Sequence, residues 1–199
     1  MILDSNLSFD AQVSSVIRRC YATIGGLAKL ARSLPEEVKR MIIESLVFPH
    51  LTYCMTVWAG CGTTQRQRIQ RVMNHCAQIV KGCRRSAHVS AILQEMRWPS
   101  VDNLVSERDL ALMHCILFND QAPASLRERA VYRGTVSARE TRATDAGQLH
   151  LPRVRTEHAR KFFHFRAATQ WNSAPSEIRE AVTAARCRKM ARDYFNRTD

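Results

Sequence analysis

Thr64-Gln-Arg-Gln-Arg-Ile-Gln-Arg-Val-Met-Asn-His-Cys-Ala-Gln-Ile-Val80 carries apolar residues at Ile69, Val72, Met73, Cys76, Ile79 and Val80. Steps of one, three and four put them on one face of a helix, and Gly82 supplies its stop. Such a face needs other apolar faces to cover it, and the flanking sequence provides them. Upstream, a helix opens at Asp10 with Val13, Val16, Ile17, Cys20, Tyr21, Ile24, Leu27 and Leu30 in register, interrupted by Gly25-Gly26. Ser33-Leu-Pro-Glu36 has the form of a capping box, with Ser33 as cap and Glu36 three residues on. It introduces a second helix through Val38, Met41, Ile42, Leu46 and Val47, which Pro49 kinks or ends. Leu51–Trp58 reads as resumed helix, and Gly60 and Gly62 close the unit.

Downstream, a short helix from Ser86 to Glu95 leads to Trp98-Pro99. Another helix starts near Ser100, with Val101, Leu104, Val105, Leu112, Cys115 and Ile116 inward, and ends at Asn119-Asp120 and Pro123. The texture then changes. Residues 133–156 are rich in Arg, Thr, Gly and Ala with little helical period, and read as loop with a short strand at Gln148–Leu151. Helical pattern returns from Glu157 to Trp171, breaks at Asn172-Ser-Ala-Pro175 and resumes from Ala181 to Phe195. The expected fold is therefore mainly α. A helical bundle spans 10–125, a short leading segment spans 1–9, and a smaller, less regular α-rich module spans 126–199.

A hydrophobic fraction of 45% over 199 residues suffices for a packed core. Gly 7 and Pro 6 are too few for a fibrous or low-complexity chain. The formal charge is +12 with 25 Arg against 5 Lys, so a polyanion is the first partner to consider. Arginine's planar fork grips phosphate in a bidentate way that lysine cannot. No apolar run reaches the length of a membrane span, and residues 1–9 lack the pattern of a secretory signal. Seven cysteines at scattered positions read as reduced thiols, which suits an intracellular setting, nuclear or cytoplasmic.

No acidic residue lies between Glu44 and Glu95, yet that window holds Arg66, Arg68, Arg71, Lys81, Arg84 and Arg85. Unopposed bases on one helix and its following turn suit a phosphate backbone; the plainer reading is a solvated face, although such faces usually mix signs. Arg139, Arg142, Arg153, Arg155, Arg160 and Lys161 form a second basic stretch. It reads equally well as a nucleic-acid-binding loop or as a charged surface loop. His75-Cys76, Cys83, His88, Cys54 and Cys61 lack the paired spacing of a zinc site, and Cys76 and Cys83, seven apart, have ordinary core spacing. No nucleophile elbow, phosphate-binding glycine loop or carboxylate pair is present, so catalytic residues, metals and cofactors are all expected to be none. Trp58, Trp98 and Trp171 each close an apolar stretch and read as core plugs rather than base-stacking platforms.

Several stretches together resemble the C-terminal part of a non-LTR (LINE-type, jockey-like) retrotransposon reverse transcriptase. Leu3-Asp-Ser-Asn-Leu-Ser-Phe9 is similar to that family's segment closing the palm, and Leu46-Val-Phe-Pro-His-Leu-Thr-Tyr53 through Trp58 to its thumb signature. Arg68-Ile-Gln-Arg-Val-Met-Asn74 with Gly82 resembles its next helix, with Arg-Val-Met-Asn where Gln-Asn is usual. Ala122–Leu126, Leu149-His-Leu-Pro152 with Arg155-Thr156, and Phe162 through Trp171-Asn-Ser-Ala-Pro175 and Ile178-Arg179 follow in the family's order. The resemblance implies a thumb and the region after it, with 1–9 as the end of a palm strand whose partner lies upstream. It implies a parent RNA-directed DNA polymerase whose catalytic aspartates are not in this chain, so the chain by itself is not expected to be an enzyme. The implied partners are an RNA–DNA hybrid, element RNA or target DNA, with a helical protein-interaction module or a non-functional element remnant as the alternative.

Overall fold

The computed structural model describes residues 1–30, 33–84, 88–136 and 147–198. It is mainly helical, and among the described residues β structure is limited to one isolated bridge. The chain divides into two compact units, Met1–Asp102 and Asn103–Asp199. The textural change expected near residue 125 therefore lies inside the second unit. The physical reason is that Leu110 and Met113, ahead of that change, belong to the C-terminal core.

The first unit is built on α1 (Asp10–Leu30), α2 (Glu36–Leu46), α3 (Phe48–Thr52), α4 (Met55–Trp58), α5 (Thr63–Lys81) and α6 (Ser90–Glu95). Helix α5 buries Ile69, Val72, Met73, Cys76, Ala77 and Val80, and packs against α1, α2 and α6. Its end is a Schellman motif. Gly82 takes φ 65°, and the Cys83 N–H donates to the Gln78 carbonyl at 3.0 Å. Helix α1 buries Val13, Val16, Cys20, Ile24 and Leu27 and runs unbroken through Gly25-Gly26.

Helix α2 does not use the expected capping box. Pro35 stands at the N-cap without a side-chain cap bond, and Glu36 lies inside the helix, where it pairs with Lys81 instead. Pro49 falls in the first turn of α3, where its missing N–H costs nothing. Cys54, at φ 50°, separates α3 from α4, so the expected single helix over 51–58 is two short ones. Trp58 is buried, and its indole N–H donates to the Tyr53 carbonyl at 2.9 Å.

Residues 1–9 form no strand. The Asp4 carboxylate accepts the N–H groups of Ser8 at 2.8 Å, Phe9 at 2.8 Å and Asn6 at 3.1 Å. These local acceptors satisfy a backbone that would otherwise need a strand partner. They also hold the Asp4 carboxyl below its ordinary value, the Ser8 N–H contributing most.

The second unit takes most of α7 (Val101–Phe118), then α8 (Ala124–Arg127), α9 (Arg133–Val136), α10 (Glu157–Arg160), α11 (Phe163–Ser173), α12 (Ser176–Arg179) and α13 (Ala184–Thr198). Its core gathers Leu110, Met113, Leu149, Ala167, Trp171, Ile178 and Cys187. The expected strand at Gln148–Leu151 is a single antiparallel bridge from Leu149 to Tyr132. Pairing ends there because Pro152 has no N–H to donate and the facing segment enters α9 at Arg133. On the other edge Asn172 acts as a strand mimic: Leu149 N–H donates to its Oδ1 at 2.7 Å, and its Nδ2 donates to the Leu149 carbonyl at 2.9 Å. The neighbouring Trp171 indole donates to the Gly147 carbonyl at 3.2 Å.

Candidate nucleic-acid interface

At 3.6 residues per turn, Arg68 and Arg71 lie about 60° apart on α5, whereas Arg66 sits about 160° round from Arg68. The side chains follow that arithmetic. Arg68 reaches back to α1, donating to Ser14 Oγ at 3.2 Å and to Gln65 Oε1 at 2.7 Å. Both partners are neutral, and Arg68 forms no ion pair among the described residues; the nearest acid in this chain of bonds is Asp10, which accepts from Gln65 Nε2 at 2.6 Å. Arg71 is exposed and Arg84 is exposed beyond the Gly82 cap. Neither forms an ion pair among the described residues.

Arg66 and Lys81 depart from the expectation of unopposed charge. Arg66 pairs with Asp102 at 2.5 Å and also donates to the Ala59 carbonyl at 2.7 Å. Lys81, with a side chain 17% exposed, bridges Glu36 and Glu95, each at 2.6 Å. Glu36 first and Glu95 second hold its ammonium charged above the usual lysine range. A window without acids along the chain is thus not a window without acids in space: α2, α6 and α7 bring carboxylates to one side of α5. Arg85, Arg139 and Arg142 lie outside the described residues. Arg153 and Arg155 are exposed, and Arg160 pairs with Glu157 at 2.9 Å on the surface of α10.

Beside Arg71, α1, α5, α6 and the residues leading into α6 border an open groove of about 610 Å³. Tyr21, Arg71, Asn74, His75 and His88 contribute to its walls, and none of its lining residues is acidic. The Tyr21 and His75 rings stand 6.0 Å apart, tilted by 44°. Gln70 fixes the orientation of Asn74. Its Nε2 donates to Asn74 Oδ1 at 2.9 Å, while its Oε1 accepts the Val101 N–H at 2.8 Å. The Asn74 amide nitrogen is thereby left as the donor end.

Cys76 is a core residue whose thiol burial pushes up to about 12, which makes it a poor metal ligand. Cys83 does not share that core: it lies past the Gly82 cap and is exposed. Among the described residues no group of His, Cys, Asp and Glu could hold a metal ion. Trp58, Trp98 and Trp171 are all buried, as core plugs should be; the Trp98 indole donates to Glu44 at 2.7 Å.

The second unit holds arginines that the sequence reading left unassigned. Arg166 makes a bidentate pair with fully buried Asp109, at 2.5 and 3.0 Å. Arg188 and Arg192 both bond Glu107, which is 1% exposed. The signal was present as Glu107 and Asp109, two acids in the middle of a helix that contributes Leu110, Met113 and Ile116 to the core. These three arginines therefore serve the unit's own fold rather than a ligand.

No protein-family model, curated protein or solved structure matches the chain.

Proposed function

We propose that the chain grips a nucleic-acid duplex as the thumb and following region of a retrotransposon-type RNA-directed DNA polymerase, without a catalytic site of its own. The observation that supports this reading is that Arg68 and Arg71 on α5, continued by Arg84, form no ion pair among the described residues. Guanidinium groups left charged on one helical face contact phosphates without reading bases, so binding is salt-sensitive and largely blind to sequence. An RNA–DNA hybrid is the duplex to test first, with element RNA and target DNA as the related ligands. An intracellular, nuclear or cytoplasmic, setting goes with this role. Among the described residues no helix is long and apolar enough to cross a membrane.

The test is hybrid binding by the purified chain across a salt series, beside an Arg68→Glu/Arg71→Glu/Arg84→Glu variant. Steep weakening with salt, and loss in the variant, is the expected result. No binding at low salt by a folded chain would overturn the proposal. A second reading, a helical protein-interaction module, draws on Met41, Leu46, Tyr53 and Val57, large apolar side chains left exposed on α2–α4 and the turn between α3 and α4.

A further inference from the structure

We propose that the groove between α1, α5 and α6 holds a single unpaired nucleotide, its base against Tyr21 and His75 and its phosphate on Arg71. This rests on the nucleic-acid reading above and assigns a distinct site within it. The volume of about 610 Å³ falls within the range of about 300–1,000 Å³ typical of small-ligand sites. A nucleotide combines a flat apolar face with an anion, and the groove offers a counterpart to each.

Tyr21 lines the groove and is 37% exposed, which leaves aromatic surface for a base to stack on. The Arg71 guanidinium, on the following turn from Arg68, supplies the forked donor for phosphate. Asn74, turned by Gln70 so that its amide nitrogen is the available end, presents a donor to a base carbonyl or ring nitrogen. The absence of acids from the lining removes the repulsion that would exclude a phosphate. Because Arg71 belongs both to the duplex-facing row and to the groove, the nucleotide it holds is one adjoining the duplex, such as the first unpaired residue of a single-stranded tail.

The experiment compares a blunt RNA–DNA hybrid, the same hybrid with a short single-stranded tail, and a free single-stranded hexanucleotide. Each is titrated into the full chain and into Tyr21→Leu and Tyr21→Phe variants whose thermal unfolding has been checked. The tail is expected to raise affinity about tenfold, a gain lost in Tyr21→Leu and retained in Tyr21→Phe, which keeps the stacking face. A tail that adds nothing, or a gain that survives in Tyr21→Leu, overturns the groove assignment and leaves duplex gripping intact. Hexanucleotide binding that depends on Tyr21, with no binding of the blunt hybrid, overturns the duplex reading and leaves the groove standing. No binding of any of the three overturns both.

Discussion

Arg66 and Arg68 are two residues apart and have opposite fates: one is neutralised by Asp102, the other keeps its charge on the α1 side of α5. The same contrast appears at helix ends. Gly82 and Arg97 both occupy the left-handed position of a Schellman motif, at φ 65° and 54°, each with the next N–H returning to the helix. Glycine takes that conformation freely, whereas a side chain costs about 1–2 kcal/mol there. Gly82→Ala should therefore destabilise the protein by about 1 kcal/mol in chemical denaturation, and Arg97→Gly should stabilise it by a similar amount. Glu107 sets a pH dependence. Burial opposes its ionisation, but the hydrogen bonds from Arg192 and Arg188 outweigh that and hold its carboxyl below the ordinary 4.5. A carboxyl depressed in the folded state contributes stability above its unfolded value, lost as pH falls through the folded value. Acid unfolding should thus steepen below about pH 4.5, where the unfolded chain takes up the proton first. Glu107→Gln should flatten that limb; an unchanged limb would rule out this carboxylate as its source.

Among the elements, α1 shows how packing overrides local propensity. Gly25 and Gly26 lie within a continuous helix, exposed, with open space where a Cβ would sit. Ile24 and Leu27 on either side are buried and hold the turn in place. Replacing both glycines by alanine should raise stability by about 1–2 kcal/mol, read from the denaturation midpoint. Helix α7 shows the opposite difficulty. Its buried set includes Val101, Leu104, Val105, Leu110, Met113 and Ile116 together with Glu107, Asp109 and His114, so no single apolar stripe marks its inner face. The expected inward positions Leu112 and Cys115 are only half-buried. The salt links are what admit charge to this helix. Arg166→Ala removes the bidentate partner of Asp109 and should cost about 3–5 kcal/mol, measured by denaturant unfolding.

At the scale of the whole molecule, the 30 Lys and Arg side chains overstate the cations offered to a polyanion, because Arg40, Arg66, Lys81, Arg160, Arg166, Arg188 and Arg192 are paired with carboxylates, while the net charge of +12 already counts those carboxylates. If Arg68, Arg71 and Arg84 are the phosphate contacts, log K for hybrid binding should fall with log salt at a slope of about −3. Each of them mutated singly to Gln should lower that slope by about one. A slope unchanged by the substitutions would place the contacts elsewhere on the chain.

The helical class, the span of α5 and the stop at Gly82 were legible in the sequence, because period, breakers and caps act over a few residues and need no partner to be recognised. The three tryptophans were legible as core plugs for the same reason: each sits where an apolar face ends. What joins residues distant in sequence was decided only by the tertiary structure. Asn172 on the backbone of Leu149, Glu36 drawn from its cap to Lys81, and Tyr21 brought beside Arg71 are separated by 23, 45 and 50 positions. A carboxylate neutralises a base across a few ångströms of space whatever their distance along the chain. The charge available to a ligand is therefore a property of the folded surface, and only the fold could subtract Arg66 and Lys81 from the row that the sequence laid out.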